Sequence, residues 1–234
     1  MKICPKCEIN HIQDNEDSCV LCKPKFCIET DNEARKNLLA LLQSYGFFGF
    51  LHSTEFENFI SIFKSKQILP RNKLTSFRDV ANQGVICNTY ESVKNCLRFY
   101  YKEKTPTNYK ANYINPVMLV IDPLLIFDFR AKFASGNAGS NSTVITQFAE
   151  IALSFDWDLI FERGSFADSQ YSSDDYYTKR NVIKNRRNAE FLYEGILSTD
   201  KIVTVFFKYK EAYNKAINIF GKDSRFQVGP KRFD

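Results

Sequence analysis

Apolar residues fall along the chain in short clusters whose period changes from segment to segment, and the changes predict the elements. Leu38, Leu39, Leu41 and Leu42 recur at helical spacing behind Asp31-Asn32-Glu33, a polar helix start, and stop at Gly46, so a helix over 31–46 is expected. Phe47 to Leu51 reads as a short buried strand, His52-Ser53-Thr54 as a polar turn, and Phe56, Phe59, Ile60 and Phe63 as the apolar side of a second helix. Cys96 to Tyr101 has strand character, and Val117 to Ile121 is a continuous apolar run with the look of a central strand. Leu159-Ile160-Phe161, Phe191-Leu192-Tyr193 and Ile202 to Phe207 continue the strand series, with helices expected at Val144 to Ser154 and Glu211 to Ile219. Gly136 to Ser142 and Ser169 to Asp175 mark loops. Strands dominate the second half with short helices between them, which predicts an α+β fold, a mixed sheet with helices packed around it.

Composition fits one medium domain with a small appendage: 234 residues, 44% hydrophobic and 15% aromatic, are enough to bury a core. Of 32 basic and 27 acidic residues, four and five fall in Met1 to Thr30, so the body is about +6 and the leading segment about −1. A mildly basic body is compatible with a polyanionic partner without requiring one. No apolar run approaches the ~20 residues of a membrane span, and no apolar stretch follows the first lysine, so neither a membrane nor export is expected and the chain reads as cytoplasmic.

Five of the seven cysteines precede Asp31. Cys4, Cys7, Cys19 and Cys22 form C-x₂-C-x₁₁-C-x₂-C, in which each pair can fold as a knuckle that aims two thiolates at one ion. Residues 1–30 are therefore expected to be a Cys4 module around a structural zinc, with Cys27 and His11 spare and no ligand position open for water. The helix over 31–46 would connect it to a body spanning 47–234. The other reading of the cysteines is a reduced, flexible tail.

The body excludes several chemistries. Gly136 to Gly139 lacks the form and context of a dinucleotide-binding turn, and there is no phosphate-cradling Walker loop. With His11 in the cysteine module, a histidine-based hydrolase would rest on His52 alone. His52, beside Ser53 and Thr54 at a strand end, can present donors and acceptors to a ligand, although a lone histidine is more often structural. Glu190 stands where a strand begins, directly after Lys184, Arg186 and Arg187, and is either a functional carboxylate or the partner of an arginine.

Taken together, these segments resemble the DarT-type nucleic-acid ADP-ribosyltransferase toxins from about Phe47 to Ile219. The resemblance is carried by Phe50-Leu51-His52-Ser53-Thr54 with Asn58, by Leu97-Arg98-Phe99-Tyr100-Tyr101 running on through Thr105-Pro106-Thr107 to Tyr109, by Ala134-Ser135-Gly136-Asn137, and by Arg187-Asn188-Ala189-Glu190-Phe191-Leu192. The R-F-Y-[FY]-x₃-T-P-T-x-Y element looks closer to the guanine-modifying branch than to the thymine-modifying one.

The resemblance implies an enzyme that uses NAD as co-substrate. Glu190 would be the catalytic glutamate, His52, Ser53, Thr54 and Asn58 would grip NAD, and Tyr100 or Tyr101 would stack on the nicotinamide. An arginine ahead of the R-F-Y element, Arg78 in preference to Arg71, would hold the pyrophosphate bidentately. Lys102, Thr105, Thr107 and Tyr109 would meet the nucleic acid, where an aromatic ring among lysines suits base stacking beside phosphate contacts, and surface solvation is their other reading. The sequence departs from the family in Ser135, where an acidic residue is expected, and in the cysteine module.

Single-stranded DNA is the expected target, since a base amine must be unpaired to be reached, with RNA as the first alternative. Modification of protein side chains and a non-catalytic zinc adaptor are the competing classes. The family further implies a toxin restrained by an antitoxin or chaperone and released in phage defence.

Overall fold

The computed structural model describes residues 2–3, 11–12, 28–75, 91–106, 113–162 and 173–233. Near the start, β1 (Lys2–Ile3) pairs antiparallel with β2 (His11–Ile12). Then come α1 (Ile28–Ser44), β3 (Phe50–Glu55), α2 (Phe56–Ser65), β4 (Gln67–Ile68), α3 (Glu91–Lys94), β5 (Cys96–Tyr100), β6 (Pro116–Ile121), β7 (Ala131–Ala134) and β8 (Ile145–Thr146). The chain ends with α4 (Ala149–Leu153), α5 (Trp157–Phe161), α6 (Ser173–Arg186), β9 (Glu190–Glu194), β10 (Leu197–Ser198), β11 (Ile202–Phe207), α7 (Lys210–Phe220) and β12 (Phe226–Val228).

Eight strands form one sheet in the order β12-β11-β6-β3-β5-β9-β7-β8, and β4 pairs with β10 beside it. Among the described residues only the β11–β12 pair is parallel, so the sheet is mixed and the expected α+β class holds. All six residues of β6 are buried, as an unbroken apolar run predicts for a strand covered on both faces. Residues that alternate along the strands, such as Phe50, Phe99, Leu119, Phe133, Phe191 and Phe207, point to one face and meet buried residues of α1, α2, α4, α5 and α7 in a single core. The opposite face is covered less evenly, by Leu51, Met118 and Val120 in one cluster and Val93, Cys96, Ala134 and Leu192 in another.

The helix expected over 31–46 runs from Ile28 to Ser44 and belongs to the core: Leu38 and Leu42 are fully buried in it, and Gly46 closes the helix end at a φ of 81°. Arg35 is buried too. Its guanidinium donates to the carbonyls of Ile126, Asp128 and Gln147 and to the Asp31 carboxylate, which supplies the partners a buried cation requires.

Several expected elements differ. His52-Ser53-Thr54 is strand and not turn, because β6 offers a full ladder from Phe50↔Ile121 to Glu55↔Pro116 and the polar triplet continues it. The strand start shifts from Phe47 to Phe50, behind Gly49, where a Cβ would lie 2.7 Å from the Ile121 carbonyl oxygen. Leu159-Ile160-Phe161 is the end of α5, since Asp156 caps that helix by accepting from the Leu159 N–H. The single helix expected over Val144 to Ser154 splits: Ile145 and Thr146 pair with Ala134 and Phe133, the Thr146 hydroxyl accepts from Phe148 N–H to turn the chain, and α4 begins at Ala149. Of the loop expected from Ser169 to Asp175, residues 169–172 lie outside the described residues, and α6 begins at Ser173.

Candidate active site

Glu190 opens β9 opposite Tyr100 of β5, and strand alternation sends both away from the helix-covered core that holds Phe191 and Phe99. The Glu190 side chain is 1% exposed, and Arg98, from the same face of β5, closes over it at 30% exposure. The pairing is bidentate. Arg98 Nε donates to Oε2 at 3.0 Å, and Nη2 lies 2.8 Å from both oxygens. Ala138 N–H adds a third donor to Oε2 at 2.9 Å. Desolvation acts against the Arg98 charge, but the facing carboxylate outweighs it and holds the guanidinium above its usual value.

The arginines next to Glu190 in sequence are engaged elsewhere. Arg186 donates to the Ser135 carbonyl and hydroxyl, and Arg187 pairs with Glu162 at 2.5 Å. The Ser135 hydroxyl also accepts from Val144 N–H. Arg98 and Asn137, which the sequence places only inside longer motifs, are the residues that surround the carboxylate. Their signal was there to read: Arg98 is polar in a strand whose alternate residues are apolar, and it faces the same way as Tyr100.

Between β3 and β5 the ladder is reduced to Leu51↔Tyr100. Beyond that pair His52 bridges the strands, its Nδ1 donating to the Arg98 carbonyl at 3.3 Å and its ring edge-on to Phe99 at 5.9 Å. Burial pushes the imidazole below its ordinary pKa, so the ring is neutral and the Nδ1–H tautomer leaves Nε2 as an acceptor. Thr54 is buried two residues further along, Ser53 is half-buried between them, and Asn58 is half-buried on α2. The structure separates the two tyrosines proposed to flank a ligand. Tyr100 is half-exposed on the Glu190 face, whereas Tyr101 is buried in the core against Trp157 and Phe50.

The segment expected to meet nucleic acid is described on either side of residues 107–112, up to residue 106 and again from residue 113. Lys102 donates to the Glu162 carbonyl at 3.0 Å, Glu103 pairs with Arg232 of the C-terminal segment at 2.6 Å, and Thr105 is buried. Where the chain returns, both oxygens of the buried Glu55 accept, from Ile114 and Asn115 N–H, and the Tyr113 hydroxyl donates to the Ser53 carbonyl. Burial raises the Tyr113 phenol, so it stays a donor.

Thr107, Tyr109 and Arg78 lie outside the described residues, as do Cys4, Cys7, Cys19 and Cys22; Arg71 is half-buried in a short turn of Arg71–Lys73. Among the described residues no cluster of His, Cys, Asp and Glu is placed to hold a metal ion, and no helix is long and apolar enough to cross a membrane.

The comparisons follow the same outline. A family model described as ssDNA thymidine ADP-ribosyltransferase, DarT, matches residues 51–233. The fold is similar to that of Thermus sp. 2.9 DarT in complex with ADP-ribosylated ssDNA, with a TM-score of 0.65 and 13% identity over 79% of this chain and 95% of that one. The same Thermus protein in complex with NAD+ gives a TM-score of 0.61 and 14% identity over 79% and 96%. Thermosipho africanus DarTG in complex with ADP-ribose gives 0.60 and 14%, covering 80% of this chain and 51% of the other. No curated protein matches the chain.

Proposed function

The chain belongs to the DarT family of ADP-ribosyltransferases, and from that premise we propose that it transfers ADP-ribose from NAD⁺ to a base of single-stranded DNA at the site around Glu190. The observation that carries the reading is the buried Glu190 carboxylate at the head of β9, held by Arg98 beside the strand that bears His52 and Thr54.

The chemistry suits such a carboxylate. Cleavage of the bond between nicotinamide and ribose C1′ passes through an oxocarbenium-like state, which a fixed anion on the sugar stabilises electrostatically. Nicotinamide departs with the bonding electrons, a base nitrogen forms the new bond to C1′, and Glu190 receives the proton that the nitrogen gives up. His52 Nε2, an acceptor in the neutral ring, and the Thr54 hydroxyl serve the NAD⁺ ribose, with Asn58 beyond them on α2. Tyr100 is the ring that stacks on nicotinamide, in preference to Tyr101. Arg78 holds the pyrophosphate, and Lys102, Thr105, Thr107 and Tyr109 frame the DNA strand.

Finer assignments rest on the residues quoted for the family. The R-F-Y-[FY]-x₃-T-P-T-x-Y element supports guanine as the modified base, the chemistry implies a toxin with an antitoxin or chaperone partner, and the two C-x₂-C pairs support a structural zinc. The test is incubation of the purified protein with labelled NAD⁺ and separate single-stranded DNA and RNA oligonucleotides of defined base content, beside Glu190→Ala. Label on guanine-containing DNA alone, lost in the variant, supports the full reading. Label on thymine moves the base, label on RNA moves the target, and intact NAD⁺ in every reaction overturns the activity.

A further inference from the structure

The two oxygens of Glu190 are unequally occupied. Among the described residues, Oε2 accepts from Arg98 Nε, Arg98 Nη2 and Ala138 N–H, whereas Oε1 accepts from Arg98 Nη2 alone. A carboxylate oxygen offers about two lone pairs, so Oε2 is saturated and the remaining acceptor capacity lies on Oε1. The donors to Oε2 are themselves fixed. Arg98 Nη2 also donates to Asn137 Oδ1 at 3.0 Å, and the same Oδ1 accepts from Gly139 N–H at 2.8 Å.

Asn137 is in turn held to α6. Its N–H donates to the Asn185 side chain at 2.9 Å, its carbonyl accepts from the Thr143 hydroxyl at 2.7 Å, and the Asn185 amide donates to Ser142 and Thr143. Gly136 permits this approach, because a Cβ there would stand 2.8 Å from the Asn185 carboxamide. The 135–144 turn is therefore a rigid cradle, and it hands one backbone donor and one oriented guanidinium to the carboxylate.

We propose that Arg98 and Asn137 are positioning residues that immobilise Glu190 through Oε2 and reserve Oε1 as the oxygen that meets the ribose hydroxyl and takes the base proton. The inference rests on the reading of Glu190 as the catalytic carboxylate. A carboxylate free to rotate would divide its time among rotamers, and a displacement of about 1 Å in such a group costs up to about a hundredfold in rate. A fixed carboxylate accelerates the chemical step and leaves NAD⁺ affinity nearly unchanged, which distinguishes positioning from ligand binding.

The experiment measures single-turnover ADP-ribosyl transfer to a single-stranded DNA oligonucleotide, NAD⁺ dissociation constants and melting temperatures for the full chain, Asn137→Ala, Arg98→Ala, Arg98→Lys and Glu190→Ala. Asn137→Ala is expected to slow transfer about tenfold with NAD⁺ affinity within about twofold. Arg98→Lys, a point charge in place of a fork, is expected to remain slow, and added guanidinium ion to restore part of the Arg98→Ala rate. If Arg98→Ala does not fold, Asn137→Ala and Arg98→Lys decide. Native transfer rates in both, with Glu190→Ala inactive, overturn the positioning unit and leave the catalytic glutamate standing. Loss of NAD⁺ affinity at an unchanged rate also overturns it. Native activity in Glu190→Ala overturns the reading beneath it.

Discussion

The rings of Phe50 and Phe191 stack 3.7 Å apart with an interplanar angle of 15°. They join the strand that carries His52 to the strand that carries Glu190 over the intervening β5, on the face opposite the carboxylate. Aromatic packing on one side of the sheet thus sets the spacing of polar groups on the other.

Phe191→Ala should remove this brace. Both rings are fully buried, so truncation leaves a cavity and is expected to destabilise the fold by about 3–5 kcal/mol. Urea unfolding of the variant measures it, and a change below about 1 kcal/mol would show that the surrounding phenylalanines, Phe99 and Phe133, close the gap.

His52 gives the fold a pH dependence of known sign. Its pKa is lowered by desolvation, so the unfolded chain binds the proton more readily than the folded one. The contribution to stability is intact above about pH 6.5, the unfolded value, and is lost as pH falls from there towards the lower folded value. Urea midpoints compared at pH 7.5 and 5.5 should converge in His52→Gln; an undiminished acid loss in that variant would assign it to other groups.

Asp128 acts at lower pH. The Arg130 side-chain hydrogen bond holds its carboxyl down at about 2, helped by the Tyr193 hydroxyl at 2.9 Å. Its contribution is present above the unfolded value of about 3.9 and disappears as pH falls through about 2. In Asp128→Asn, thermal melts between pH 5 and 2 should show a shallower decline than the parent.

Much of this was legible beforehand. β6, β9 and β11 could be placed from apolar runs, α2 and α7 from their period, and Glu190 from a carboxylate at a strand start. Legibility failed where a polar partner, distant in sequence or in the cap just ahead, overrode the apolar pattern. The His52-Ser53-Thr54 triplet looked like a turn because nothing local shows that β6 would pair with it, and Asp156 turned an apolar triplet into a helix end with one hydrogen bond. Arg98 escaped for the same reason, its partner lying ninety-two positions away.

Glu55 tests the segment expected to meet DNA. It is completely buried and its two oxygens accept from Ile114 and Asn115 N–H, so Glu55→Ala strands two donors at a cost of about 1–3 kcal/mol for each buried group. Hydrogen exchange should accelerate at those amides, and oligonucleotide affinity by fluorescence anisotropy should fall more than NAD⁺ affinity. Equal losses of both would place the effect in the whole sheet.

The grip of Arg35 on three carbonyls has a practical corollary for anyone redesigning this chain. The family match begins at residue 51, yet cutting there would strip Leu38 and Leu42 from the interior and leave the carbonyls of Ile126, Asp128 and Gln147 without their shared donor. A shortened chain that keeps this interior intact accordingly reaches back through α1, so a truncation is expected to stop ahead of Ile28.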